Sequence, residues 1–134
     1  MSLQRFNERR AELANALARL DEAIHQPESS LVRDAVIQRF EFTFELTWKT
    51  LQLYLEHHGL ECGSPRSTFK KAFTEGLIPT TEEADVWLQM LAERNLTSHA
   101  YDEALAGQIY HHVVQDYMRL LAQMTQRIQS LAWE

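Results

Sequence analysis

Glycine and proline are scarce in this 134-residue chain, with four of one and three of the other, and they are clustered. Pro27, the run from Gly59 through Gly63 to Pro65, and the stretch from Gly76 to Pro79 divide the chain into blocks in which nothing breaks a helix. The combined share is about half the usual roughly 12%, which argues against loop-rich β-sandwiches and barrels and for long helices. Hydrophobic residues at 45% and charged residues at 24% fit an ordinary globular domain. The length suits a single domain over residues 1–134. No run approaches the roughly 18 apolar residues of a membrane span, and the N-terminus lacks a signal-peptide core, so a cytoplasmic protein is expected. Cys62 is the only cysteine, which excludes an internal disulfide. The net charge of −6 disfavours generic coating of nucleic acid.

Each block carries helical periodicity. Leu3, Phe6, Leu13, Leu17, Leu20 and Ile24 form one stripe, with Arg10 in its polar slot. The block from Ser29 to His58 has two. Ile37, Phe40, Phe44, Trp48, Leu51 and Leu55 form the first; Val32, Ala35, Phe42, Leu46 and Leu53 form the second, with Phe42 and Phe44 about 160° apart around the axis. Two opposed faces need two partners, so a homodimer is expected, with one face buried in the bundle and the other in a second subunit. Ser64 and Pro65 open a short helix that closes near Gly76. Thr80 and Glu83 have capping-box spacing for a helix ending near Asn95. Asp102 opens a last helix of nearly thirty residues with Leu105, Ile109, Val113, Leu120, Met124, Ile128 and Leu131 on one stripe. The expected architecture is all-α, a four-helix up-and-down bundle with an additional short helix.

The stretch RNLTSHAY, residues 94–101, sits between the last two long helices. Arg94 offers a permanent forked donor for phosphate, and His99 offers proton transfer near neutral pH. Together they suit metal-independent phosphodiester chemistry, with His99 taking a ribose 2′-hydroxyl proton and Arg94 steadying charge on phosphorus oxygens. On an unbroken helix the two would stand about 140° apart, so a break between them is required. A second copy across a dimer axis could supply the general acid. Helix-end chemistry accounts for the same residues without any function, since Arg complements a helix C-terminus and Asn, Thr and Ser are common at junctions.

His57-His58 and His111-His112 are adjacent pairs that diverge on a helix, leaving only His112 with Asp116 at a workable spacing, so no metal site is expected. Glu41, Glu45 and Lys49 read as an i, i+4 charge ladder. Arg39 interrupts the second stripe of its helix and is a candidate interface residue. Arg66, Lys70 and Lys71 read as a solvated basic group.

RNLTSHAY matches the R-x4-H-x-Y signature of HEPN-domain proteins. With RFEFTFELTWKTLQLYLE at 39–56 and SPRSTFKKAF at 64–73, nearly the whole chain resembles the nucleotidyltransferase substrate-binding branch. The resemblance implies a HEPN-like homodimeric bundle with Arg94 and His99 near the subunit interface, no cofactor, and a partner, a minimal nucleotidyltransferase encoded nearby. It implies two roles: the substrate-binding subunit of a two-chain transferase, or an endoribonuclease toxin acting on RNA through Arg94 and His99 and silenced by AMP transfer to Tyr101. Asn95 and Ser98 are the expected supporting residues. The chain has no Asp-x-Asp pair for catalytic magnesium and is not itself the transferase.

Overall fold

The computed structural model describes residues 2–134. Its order is α1 (Leu3–Ile24), α2 (Ser30–His57), α3 (Pro65–Thr74), α4 (Thr81–Arg94), a 3-10 turn (Thr97–His99), α5 (Glu103–His112), a π turn (Val113–Tyr117) and α6 (Met118–Gln129). No strand occurs among the described residues. α5, the π turn and α6 form one rod, so α1, α2, α4 and this rod make the bundle, with α3 as the additional short helix.

The helix starts are local chemistry. Ser2, Ser29, Ser64, Thr80 and Asp102 each accept a hydrogen bond from a first-turn backbone N–H. Ser64 has a reciprocal partner in Ser67. Thr80 does not, because the Glu83 carboxylate is taken by Arg127 and Trp87. Gly59 and Gly76 adopt φ of 84° and 83°, the left-handed conformation that lets the N–H groups of Leu60 and Leu77 turn back onto Leu55 and Ala72 carbonyls.

α2 runs through the centre. Val36, Ile37, Phe40, Phe44, Leu51 and Leu55 are fully buried, and Phe44, Phe69 and Trp87 tie α2, α3 and α4 into one aromatic cluster. Thr43, Thr47 and Thr50 are also buried, and each hydroxyl donates to the carbonyl four residues back, so the polar atoms are satisfied within the helix. The second apolar stripe of α2 is partly covered from within the chain. α1 lies along it, with Arg19 over the Phe42 ring and Arg39 donating to the Arg19 carbonyl and Glu22. Leu53 is buried, whereas Val32, Ala35, Phe42 and Leu46 remain half-buried in the single chain, and Arg39 ties α2 to α1.

Two further arginines close the bundle. Arg10 reaches the Ile128, Gln129 and Leu131 carbonyls, capping the C-terminal end of α6. Arg127 forks onto Glu83 at 2.6 and 3.1 Å and also donates to the Leu77 carbonyl. His57 stacks on Trp133 at 3.8 Å, which joins the end of α2 to the C-terminal segment. Cys62 is buried, and burial pushes its thiol up from its ordinary value.

Burial pushes the Glu83 carboxyl up, but the Arg127 and Trp87 hydrogen bonds outweigh it and hold the group below its ordinary 4.5. A carboxyl lowered in the folded state contributes stability above the unfolded value and loses it as pH falls through the folded one. Glu83→Gln is expected to cost about 2 kcal/mol at pH 7, with the difference from wild type shrinking below about pH 4.5 in urea titrations.

Candidate functional site at the α4–α5 junction

α4 stops at Arg94 because the chain must turn across α2 before the rod begins. Leu96 and Thr97 open a 3-10 turn, and buried Thr97 donates to the Arg94 carbonyl at 2.7 Å, satisfying the helix end. The Asp102 cap then starts α5 in a new direction.

At this break Arg94 and His99 take different hydrogen-bond partners. Arg94 Nη2 meets Glu45 Oε1 on α2 at 2.6 Å, and Glu45 also accepts from Trp48 Nε1 at 2.8 Å. Glu45 is therefore spent on Trp48 and Arg94, and the Glu41–Glu45–Lys49 ladder is not its use. The i, i+4 rule considers only a helix's own residues, whereas Arg94 lies 49 positions away. His99 is exposed, its Nδ1 lying 3.3 Å from the Tyr101 hydroxyl. Arg94 and His99 make no hydrogen bond to each other. Asn95 and Ser98 are exposed, and neither side chain forms a hydrogen bond among the described residues.

Tyr101 is 83% exposed, more open than any other large hydrophobic side chain among the described residues. Beside it a groove of about 230 Å³ runs between the junction and α2, lined by Asp34, Gln38, Glu41, Thr97 and Tyr101. Tyr101 thus stands at the rim of this groove, with His99 beside its hydroxyl, while Arg94 meets α2 at Glu45.

A second group escaped sequence reasoning. Glu93 is buried, and its Oε2 lies 2.5 Å from His112 Nδ1. Its neighbour Tyr117 is fully buried, stacks on Phe40 and is held well above the ordinary phenol range, by burial first and by Glu93 second. A signal existed: Val86, Met90, Glu93 and Thr97 share one 3-4 spacing, so a carboxylate stands in a core register. No group of three His, Cys, Asp or Glu side chains gathers to hold a metal among the described residues.

The bundle, the broken α4–α5 junction and the R-x4-H-x-Y run define an all-α protein of HEPN-like architecture. Residues 8–130 match the family described as nucleotidyltransferase substrate binding protein like, and the chain belongs to that family. It is 29% identical over 113 residues to a Haemophilus influenzae protein named probable ribonuclease HepT, covering 75% of each chain. A crystal structure of a Thermus thermophilus protein superposes with a TM-score of 0.80 at 44% identity, covering 87% of this chain and 98% of that one.

The Tyr117 hydroxyl is buried without a geometrically sound partner, whereas that of Tyr101 is exposed. Tyr117→Phe is expected to leave thermal stability unchanged or raised, because an unpaired buried hydroxyl costs free energy. Tyr101→Phe should shift unfolding by less than about 0.5 kcal/mol, so any functional loss in that variant is not a folding loss.

Proposed function

We propose that this chain is the recognition subunit of a two-chain nucleotidyltransferase. It acts in the cytoplasm as a homodimer, binds a separate minimal nucleotidyltransferase encoded beside it, and presents Tyr101 and the adjoining groove to that partner. Family membership supports the partner. No helix among the described residues is long and apolar enough to cross a membrane. The observation that carries the reading is the exposure of Tyr101 at 83%, within hydrogen-bond reach of an imidazole.

The chemistry follows from that pair. The Tyr101 oxygen attacks the α-phosphorus of a nucleoside triphosphate held by the partner. The new O–P bond forms as the bond to pyrophosphate breaks, and the phenol proton passes to His99 Nδ1, 3.3 Å away. Asn95 and Ser98, exposed at the same junction, support the contact.

A second reading is favoured by the name of the Haemophilus relative, probable ribonuclease. Here Arg94 grips a phosphodiester of RNA and His99 takes the 2′-hydroxyl proton, without metal or cofactor. AMP on Tyr101 would then silence the nuclease, since a phosphate beside His99 occupies the place of the substrate.

The test has two arms. Incubation with the neighbouring transferase and ATP should add one AMP to the intact mass of wild type and none to Tyr101→Phe. RNA incubated with the protein alone in EDTA should remain intact under the first reading; cleavage that disappears in His99→Ala selects the second. Absence of both modification and complex formation by light scattering rejects the first reading.

A further inference from the structure

The groove beside Tyr101 has a lining that selects which part of a nucleotide it can hold. Asp34, Gln38 and Glu41 stand on α2 at i, i+4 and i+7, one face of the helix, and the junction supplies Thr97, Ala100 and Tyr101. Ile37, 2% exposed, gives this space an apolar floor. At about 230 Å³ the groove is slightly smaller than the roughly 300–1,000 Å³ usual for drug-sized ligands, which suits a single nucleoside better than a peptide or an oligonucleotide.

The polar groups of the α2 wall are unspent. Asp34, Gln38 and Glu41 form no side-chain hydrogen bond or ion pair among the described residues, because the charged groups around them are engaged elsewhere. Arg33 meets Glu28, Arg39 meets Glu22, and Arg94 meets Glu45.

Their chemistry is also one-sided. An ionised carboxylate only accepts hydrogen bonds, an amide both donates and accepts, and no Lys, Arg or His lines the groove. A triphosphate or an RNA backbone is repelled by such a lining. Groups that carry N–H or O–H donors and no charge fit it. A ribose offers two hydroxyl donors. Adenine offers an exocyclic amine beside its N7 acceptor, the edge with which a glutamine amide pairs through two hydrogen bonds. Guanine presents a carbonyl oxygen in place of that amine, which the carboxylates oppose.

The phosphorus has a separate place. Bonded to Tyr101 Oη, it sits where that oxygen lies 3.3 Å from His99 Nδ1, so an imidazole meets its charge. The Tyr101 ring itself lines the groove. A nucleoside tethered to that ring by one phosphate is held beside the groove at high effective concentration, and even a weak seat is then occupied.

We infer that this groove seats the nucleoside transferred to Tyr101, with Gln38 reading the adenine edge and Asp34 and Glu41 accepting from the ribose hydroxyls. This rests on the transferase reading proposed above. Pyrophosphate leaves as the Tyr101 Oη–P bond forms and the phenol proton passes to His99; the adenosine on the far side of the phosphate then folds against Ile37 and Ala100. Gln38 is thus assigned as a specificity-determining residue of the acceptor chain.

The test uses protein modified with ATP by a nucleotidyltransferase partner, freed of that partner, and follows release of AMP from the modified fraction by a phosphodiesterase. Docking hides the linkage, so release from wild type is expected to be about tenfold slower than from Gln38→Ala, the order of effect that a two-bond amide–adenine pair supplies. Gln38 is exposed, so Gln38→Ala should keep native circular dichroism. In nuclear magnetic resonance spectra the methyl signals of Ile37 and Ala100 should shift on modification of wild type and much less on modification of Gln38→Ala. Equal release rates in the two proteins, or unmoved methyl signals in modified wild type, overturn the inference and leave the transferase reading standing. A mass increment of AMP absent from wild type rejects that reading, and this inference with it.

Discussion

The Glu45–Arg94 ion pair is the contact on which the working end of the molecule depends. It joins the middle of the central helix to the last residue of α4 at 2.6 Å, with both side chains about one-third exposed. An isolated pair of this exposure contributes little to stability, on the order of 1 kcal/mol or less. Its importance is geometric. It fixes where α4 ends relative to α2, and hence where residues 95–102 must cross. Trp48 holds the other Glu45 oxygen at 2.8 Å, so the carboxylate that receives Arg94 is oriented beforehand. Everything at the junction inherits this placement: the 3-10 turn, the exposed Tyr101 and the groove against Asp34 and Gln38.

The pair also divides the chemistry of the junction in two. On one side, His99 and Tyr101 are open to solvent and to a partner protein. On the other, Glu93, His112 and Tyr117 form a largely buried polar cluster, in which the π turn brings the Tyr117 ring beside that of His112. Arg94 lies between them, half-buried, with a guanidinium only partly consumed by Glu45. A cation in that position can serve a phosphate approached from either side.

Features decided by neighbours in the chain were legible in the sequence. Ser64 before Pro65, Gly76 after α3, Asp102 before the rod and the buried centre of the α1 and first α2 stripes all follow from short-range spacing, whereas Leu3, at the open end of the α1 stripe, is exposed. Features decided across the bundle were not. That Arg19 of α1 lies over the Phe42 ring is nothing a single helix's periodicity reveals. Glu45 looked like a surface ladder residue, and Glu83 like half of a capping box, because their partners Arg94 and Arg127 are more than forty positions away. The π turn was hidden by the seven-residue step from Val113 to Leu120, which reads as two ordinary helical turns. At the site, the R-x4-H-x-Y run located the junction correctly. The side chains that each of its members faces came only from tertiary packing.

Hydrogen–deuterium exchange of the protein alone and in complex with a nucleotidyltransferase partner tests the central proposal, that the α4–α5 junction is the recognition surface. Residues 95–102 and the facing turns of α2 near residues 34–41 should gain protection on binding. Protection confined to the far end of the bundle, around α1's first turns and the C-terminal segment, with the junction exchanging as before, would contradict it.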